Sequence, residues 1–77
     1  MQGATAAVIA AFAGLDYRER RVISMRLGFD ARAGFTPAPV CRYREIATAF
    51  ELTCDATASK IFRRACRKIA ASIMEAA

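Results

Sequence analysis

The segment from Ala56 to Glu75 constrains the chain more than any other. Apolar residues recur there at Ala58, Ile61, Phe62, Ala65, Cys66, Ile69 and Ile73, the spacing of one face of an α-helix. At about 100° per residue, Lys60, Arg63, Arg64, Arg67 and Lys68 fall within an arc of roughly 140° on the other side. An apolar stripe of that length must be covered, and a chain of 77 residues can build only one modest core. Apolar residues are 56% of the chain, many of them Ala, and Trp is absent, so the economical way to cover the stripe is with other helices. The expected fold is all-α: a single domain, residues 1–77, forming a small bundle of about four helices.

Upstream segments supply the partners. Ala4 to Ala13 is rich in helix formers, with Val8, Ile9 and Phe12 on one stripe, and Gly14 can end it. Asp16 and Glu19 have capping-box spacing and open a second helix through about Leu27, closed by Gly28. Val22, Ile23, Met25 and Leu27 provide its apolar surface, and Arg18, Arg20, Arg21 and Arg26 point outward. Residues 29–41, with Gly34, Pro37 and Pro39, read as a long loop whose Phe35 and Val40 are expected on the core. A short helix follows, about Tyr43 to Glu51, with Ile46, Ala47 and Phe50 inward. Leu52 and Thr53 read as a turn, and Asp55 or Thr53 is expected to cap the last helix.

Charge narrows the function. Twelve Lys and Arg stand against seven Asp and Glu, a net charge of +5, which favours nucleic acid first and an acidic membrane surface second. Lys60 and Arg64, Arg63 and Arg67, and Arg64 and Lys68 are like-charge i,i+4 pairs. Each costs a few tenths of a kcal/mol unless a polyanion relieves it. A membrane-surface helix is the competing reading, and the flanking helices favour a packed core instead. Cys41, Cys54 and Cys66 form no CxxC pair and the chain has no His, so neither a metal site nor a cofactor is expected. The cysteines read as small buried apolar residues in a reducing compartment. Without a His base, a metal cluster or a glycine-rich phosphate loop, no enzymatic activity is expected. The stretch "ATAAVIAAFAG" lacks the positive start of a signal peptide, and no run reaches membrane-spanning length, so a cytoplasmic protein is expected.

A short helix, a turn and a longer basic helix follow the helix-turn-helix plan, with a brace helix at about 43–51 and a recognition helix at about 56–75. Three stretches then resemble region four of the housekeeping-type bacterial sigma factors. "GLDYRERRVISMRLGFD" is similar to the family's L-x-x-R-E-R-x-V-L-x-x-R-x-G-L through Leu15, Arg18, Glu19, Arg20, Val22, Ile23, Arg26, Gly28 and Phe29. "REIATAFELT" resembles E-E-I-G-x-x-L-G-V-T through Glu45, Ile46, Ala47, Phe50, Leu52 and Thr53. "KIFRRACRKI" resembles Q-I-E-R-K-A-L-R-K-L through Ile61, Arg63, Arg64, Ala65, Arg67, Lys68 and Ile69.

The resemblance implies a domain that binds promoter-type double-stranded DNA and docks on the flap of the RNA polymerase β subunit. The family's base-reading stretch, R-E-R-V-R-Q, corresponds to "DATASK", Asp55 to Lys60, where only Lys60 keeps a long polar side chain. Its N-cap threonine before the brace helix and the acidic follower appear as Arg42 and Arg44. The expected DNA contacts are Thr57, Ser59, Lys60, Arg63, Arg64, Arg67, Lys68 and Arg44. The arginines behind the base-reading stretch hold phosphates, and phosphate contacts position a protein without specifying a sequence. The alternative is a module that docks on RNA polymerase, a sigma mimic, with weak or no sequence-specific DNA binding. Its anchors would be exposed apolar side chains such as Ile9, Phe12 or Met25.

Overall fold

A computed structural model describes residues 2–76, with side chains from residue 6 to residue 75. It is a small helical bundle: α1 (Gln2–Ala13), α2 (Tyr17–Leu27), α3 (Tyr43–Ala49) and α4 (Asp55–Ala76). One short ribbon of β1 (Phe29–Asp30) and β2 (Thr36–Pro37) lies between α2 and α3.

The punctuation of α2 follows from its sequence. The Asp16 carboxylate accepts the Glu19 amide at 2.8 Å, and Glu19 Oε1 accepts the Asp16 amide at 3.1 Å, a complete capping box. At the other end Gly28 is left-handed, φ 79°, and its amide donates to the Ser24 carbonyl. A Cβ on Gly28 would meet Val40 Cγ2 at 2.6 Å and the Ala38 carbonyl at 2.8 Å. The chain after β2 therefore returns as a strap across the end of α2. Ala38 N–H donates to the Gly28 carbonyl and Cys41 N–H to the Met25 carbonyl.

Residues 29–41 are more ordered than a loop. Phe29 pairs with Pro37 and Asp30 with Thr36, antiparallel, around a 3-10 turn at Ala31–Ala33. The Asp30 carboxylate caps that turn by accepting the Arg32 amide at 2.9 Å. Phe35 carries a positive φ of 62° and packs its ring against Phe12 and Phe29, centroids 5.5 and 5.4 Å away. The third pair, Phe12 with Phe29, is 5.6 Å apart. This aromatic trio fastens α1 to the ribbon, so Phe35 is pinned as expected. Val40 is not: it is 62% exposed, because the strap presses it onto the bare backbone of Gly28 rather than into the core.

Two apolar clusters share α4 as a common wall. Val22, Ile46, Ala47, Ala58 and Ile61 join α2, α3 and α4. Phe12, Leu15, Ile23 and Ala65 join α1, α2 and α4, and Phe62 packs against both. Ala58 and Ala65 are fully buried, and their small side chains let α4 approach its neighbours closely. Leu27, expected to supply apolar surface to the core, is 57% exposed beside the Gly28 cap.

Candidate nucleic-acid interface

The site begins with how α4 is launched. Phe50 closes α3, Glu51 is left-handed at φ 56°, and the Leu52 amide reaches back to the Ala47 carbonyl at 2.8 Å. With Glu51 N–H on the Thr48 carbonyl, this is a Schellman ending, and Leu52 packs onto the Ala47 cluster as that motif requires. At its start α3 has only half a capping box. Glu45 Oε1 accepts the Arg42 amide at 2.9 Å, and Arg42 has no acceptor to return to the Glu45 amide.

Cys54 takes the place expected of Asp55 or Thr53 at the head of α4. Its carbonyl accepts the Thr57 amide at 3.3 Å and its Sγ lies 3.5 Å from Thr57 Oγ1. The Thr57 hydroxyl and amide, followed by the Ala56 amide, hold the Cys54 thiol below the ordinary value of 9.0. Cys54 is exposed, contrary to the buried role expected of the cysteines, whereas Cys41 and Cys66 are half-buried. Burial pushes the Cys66 thiol up. Asp55 is the first residue inside the helix, where its charge suits the positive end of the helix dipole.

Because Ala58, Ile61 and Ala65 are buried against α2 and α3, helical periodicity turns Lys60, Arg63, Arg64 and Arg67 to solvent, and all of them are exposed. At about 100° per residue Arg67 and Lys60 fall at the centre of one continuous face, with Arg63 and Arg64 on either side. Thr57 and Ser59 are half-buried at its N-terminal end, and Thr57 is already turned toward Cys54. Arg44 is exposed on α3, on the side away from Ile46 and Ala47, and among the described residues no hydrogen bond or ion pair joins it to α4.

Lys68 differs from the other four cations of α4 in being paired. Its Nζ lies 2.9 Å from both carboxylate oxygens of Glu19, whose side chain is only 2% exposed. The ammonium hydrogen bond goes to Oε1, and Oε2 is held by charge alone. Lys68 sits at the edge of the cationic arc nearest α2, and from there its half-exposed side chain reaches the buried carboxylate. Glu19 thus has two partners, the Asp16 amide and Lys68. Its place in the capping box is legible in sequence; the pairing across 49 positions is not.

Other arginines of α2 serve the scaffold. Arg20 donates to the Leu15 carbonyl and braces the α1–α2 turn, and Arg26 stacks on Tyr43 with 4.8 Å to the ring centroid. Of the apolar anchors expected for protein docking, Ile9 is 43% exposed, Met25 is half-buried and Phe12 is buried in the aromatic trio. No cluster of three His, Cys, Asp or Glu able to hold a metal exists among the described residues, and no helix there is long and apolar enough to cross a membrane. Comparison with family descriptions, curated proteins and solved structures finds no match to this chain.

Proposed function

We propose that this protein is a DNA-binding transcription regulator that grips the duplex through the cationic face of α4, acting as a helix-turn-helix domain of the kind found in sigma factor region four. One observation carries the reading. Lys60, Arg63, Arg64 and Arg67 share an exposed face, and among the described residues none forms an ion pair. Such a face repels itself until phosphates neutralise it. The turn supports the resemblance: Glu51 adopts the left-handed backbone at the position where the family pattern L-G-V-T carries glycine.

With Thr57 occupied by Cys54 and Ser59 half-buried, Lys60 is the one long cationic side chain at the head of the helix. Binding is therefore governed by phosphates and only weakly selective for sequence, and selectivity comes from a partner. The partner proposed from the resemblance is the β-flap of RNA polymerase, which also places the protein in the cytoplasm. The test is DNA affinity across salt for the wild type and for Arg64→Ala/Arg67→Ala. The double variant is expected to lower the slope of log affinity against log salt by roughly 2, about 0.9 per lost phosphate contact. No binding at low salt, or an unchanged slope, overturns the reading. Retention on immobilised β-flap tests the partner separately.

A further inference from the structure

Two hollows open among the described residues. The one between α1, the ribbon and the end of α4 is almost wholly apolar, with Val8, Leu27, Phe35 and Ile73 in its walls. The other, a cleft of about 650 Å³, lies on α2 and is of a different kind. Its walls combine Phe12, Met25, Phe29 and Pro39 with three arginines, Arg20, Arg21 and Arg32.

Sequence and fold together make this cleft. Tyr17, Arg20, Arg21 and Ser24 recur at i, i+3, i+4 and i+7 and share one face of α2. At about 100° per residue, Ser24 lies about 160° round the helix from Val22. Val22 is fully buried in the core, yet Ser24 on the opposite side is only 6% exposed. The ribbon and the strap fold back over it, and its hydroxyl donates to the Arg21 carbonyl at 3.0 Å. The cleft is therefore enclosed by α2, the ribbon and the strap, on the side of α2 turned away from Val22.

We propose that this cleft binds a small phosphate monoester carrying a flat aromatic ring system, the chemistry that nucleoside monophosphates and aryl phosphates share. Charge selects the anion. Three guanidiniums against the single carboxylate of Asp30 leave the lining with a net +2, and a phosphate monoester carries about −1.5 to −2 at pH 7. Among the described residues no ion pair involves Arg20, Arg21, Arg32 or Asp30, and the Asp30 carboxylate is already engaged by the Arg32 amide. Arg20 is half-buried and held by the Leu15 carbonyl, so it loses little freedom on binding. Arg21 comes from α2 and Arg32 from the ribbon, and guanidinium forks match phosphate oxygens.

The apolar walls select the body. Met25, Phe29 and Pro39 offer nothing to a bare ion or to a duplex backbone, and a ring system covers them. The volume of about 650 Å³ lies within the roughly 300–1,000 Å³ of small-molecule sites. The cleft shares no residue with the cationic face of α4, so the inference stands apart from the DNA reading.

Amide NMR titrations of the intact chain with naphthyl phosphate and with adenosine monophosphate test the proposal, and the two arms show which ring system is taken. At least one ester is expected to saturate the protein below about 1 mM. It should shift the amides of Arg21, Ser24, Ala31 and Arg32 and leave those of Arg64 and Arg67 in place. Inorganic phosphate and naphthol, each with half of the chemistry, should bind at least roughly tenfold more weakly. Arg21→Ala/Arg32→Ala, at two exposed positions, should weaken the ester by at least roughly tenfold with unchanged circular dichroism. Arg64→Ala/Arg67→Ala should bind it as the wild type does, which separates this outcome from that of DNA binding. No saturation by either ester, inorganic phosphate binding as tightly as the esters, or an unaffected Arg21→Ala/Arg32→Ala variant overturns the proposal. So does a short acidic peptide that binds the cleft more tightly than both esters.

Discussion

Glu19 and Lys68 show how one side chain can be removed from a surface by one buried oxygen pair. A carboxylate that is 2% exposed needs a counter-charge, and Lys68 is the cation within reach. Lys68→Met is expected to destabilise the fold by about 2 kcal/mol, below the range for fully buried pairs because Lys68 is half-exposed. Glu19→Gln combined with Lys68→Met should recover most of that loss in urea denaturation, since Gln still accepts the Asp16 amide. Lys68→Met should also leave the salt slope of DNA binding unchanged, unlike Arg67→Ala. Asp16 gives a pH prediction. The Glu19 amide, with help from Lys68, holds its carboxyl below the ordinary 3.8. A lowered folded value means stability present above the unfolded value and lost as pH falls through the folded one. Asp16→Asn, which keeps the cap, should therefore flatten the acid limb of the urea midpoint. Cys54, with its thiol lowered by Thr57, should alkylate faster than Cys66, and Thr57→Val should slow it; mass spectrometry of iodoacetamide adducts reads both.

Element ends are where this fold departs from ideal residues. Glu51 occupies the left-handed position of a Schellman ending, at a cost of about 1–2 kcal/mol for a side chain with a Cβ. Glycine there loses about 0.5–1 kcal/mol more chain entropy on folding, so Glu51→Gly should stabilise by roughly 0.5–1 kcal/mol in thermal or urea denaturation. Gly28→Ala should do the opposite, by about 2 kcal/mol or more, because it adds left-handed strain to a Cβ crowded by Val40 and the Ala38 carbonyl. The two substitutions probe the same backbone conformation with opposite signs, because one removes a Cβ and the other adds one, and the strap over Gly28 enlarges the second effect.

The whole molecule separates a cationic flank from an uncharged end, and α4 belongs to both. The stretch from Lys60 to Arg67 carries its cations outward, and Cys66, Ile69, Ala70 and Ile73 line an apolar groove with α1 and the ribbon. A single 22-residue helix therefore carries both the proposed DNA face and one wall of the apolar groove.

Local chemistry was enough to read much of this protein. The capping box at Asp16 and Glu19, the Gly28 stop, the inward stripe Ile46–Ala47–Phe50 and the two-sided α4 all depend on neighbours within a few positions, and each follows from helical periodicity and cap geometry. The outward direction of Lys60, Arg63, Arg64 and Arg67 follows from the same periodicity. Other features depend on contacts between distant segments. Residues 29–41 became a ribbon because Phe35 and Phe29 found Phe12, and Val40 stayed exposed because the strap crosses a glycine. Lys68 is paired because packing α4 on α2 brought it to a carboxylate that burial had stripped of water, and periodicity within α4 carries no information about that neighbour.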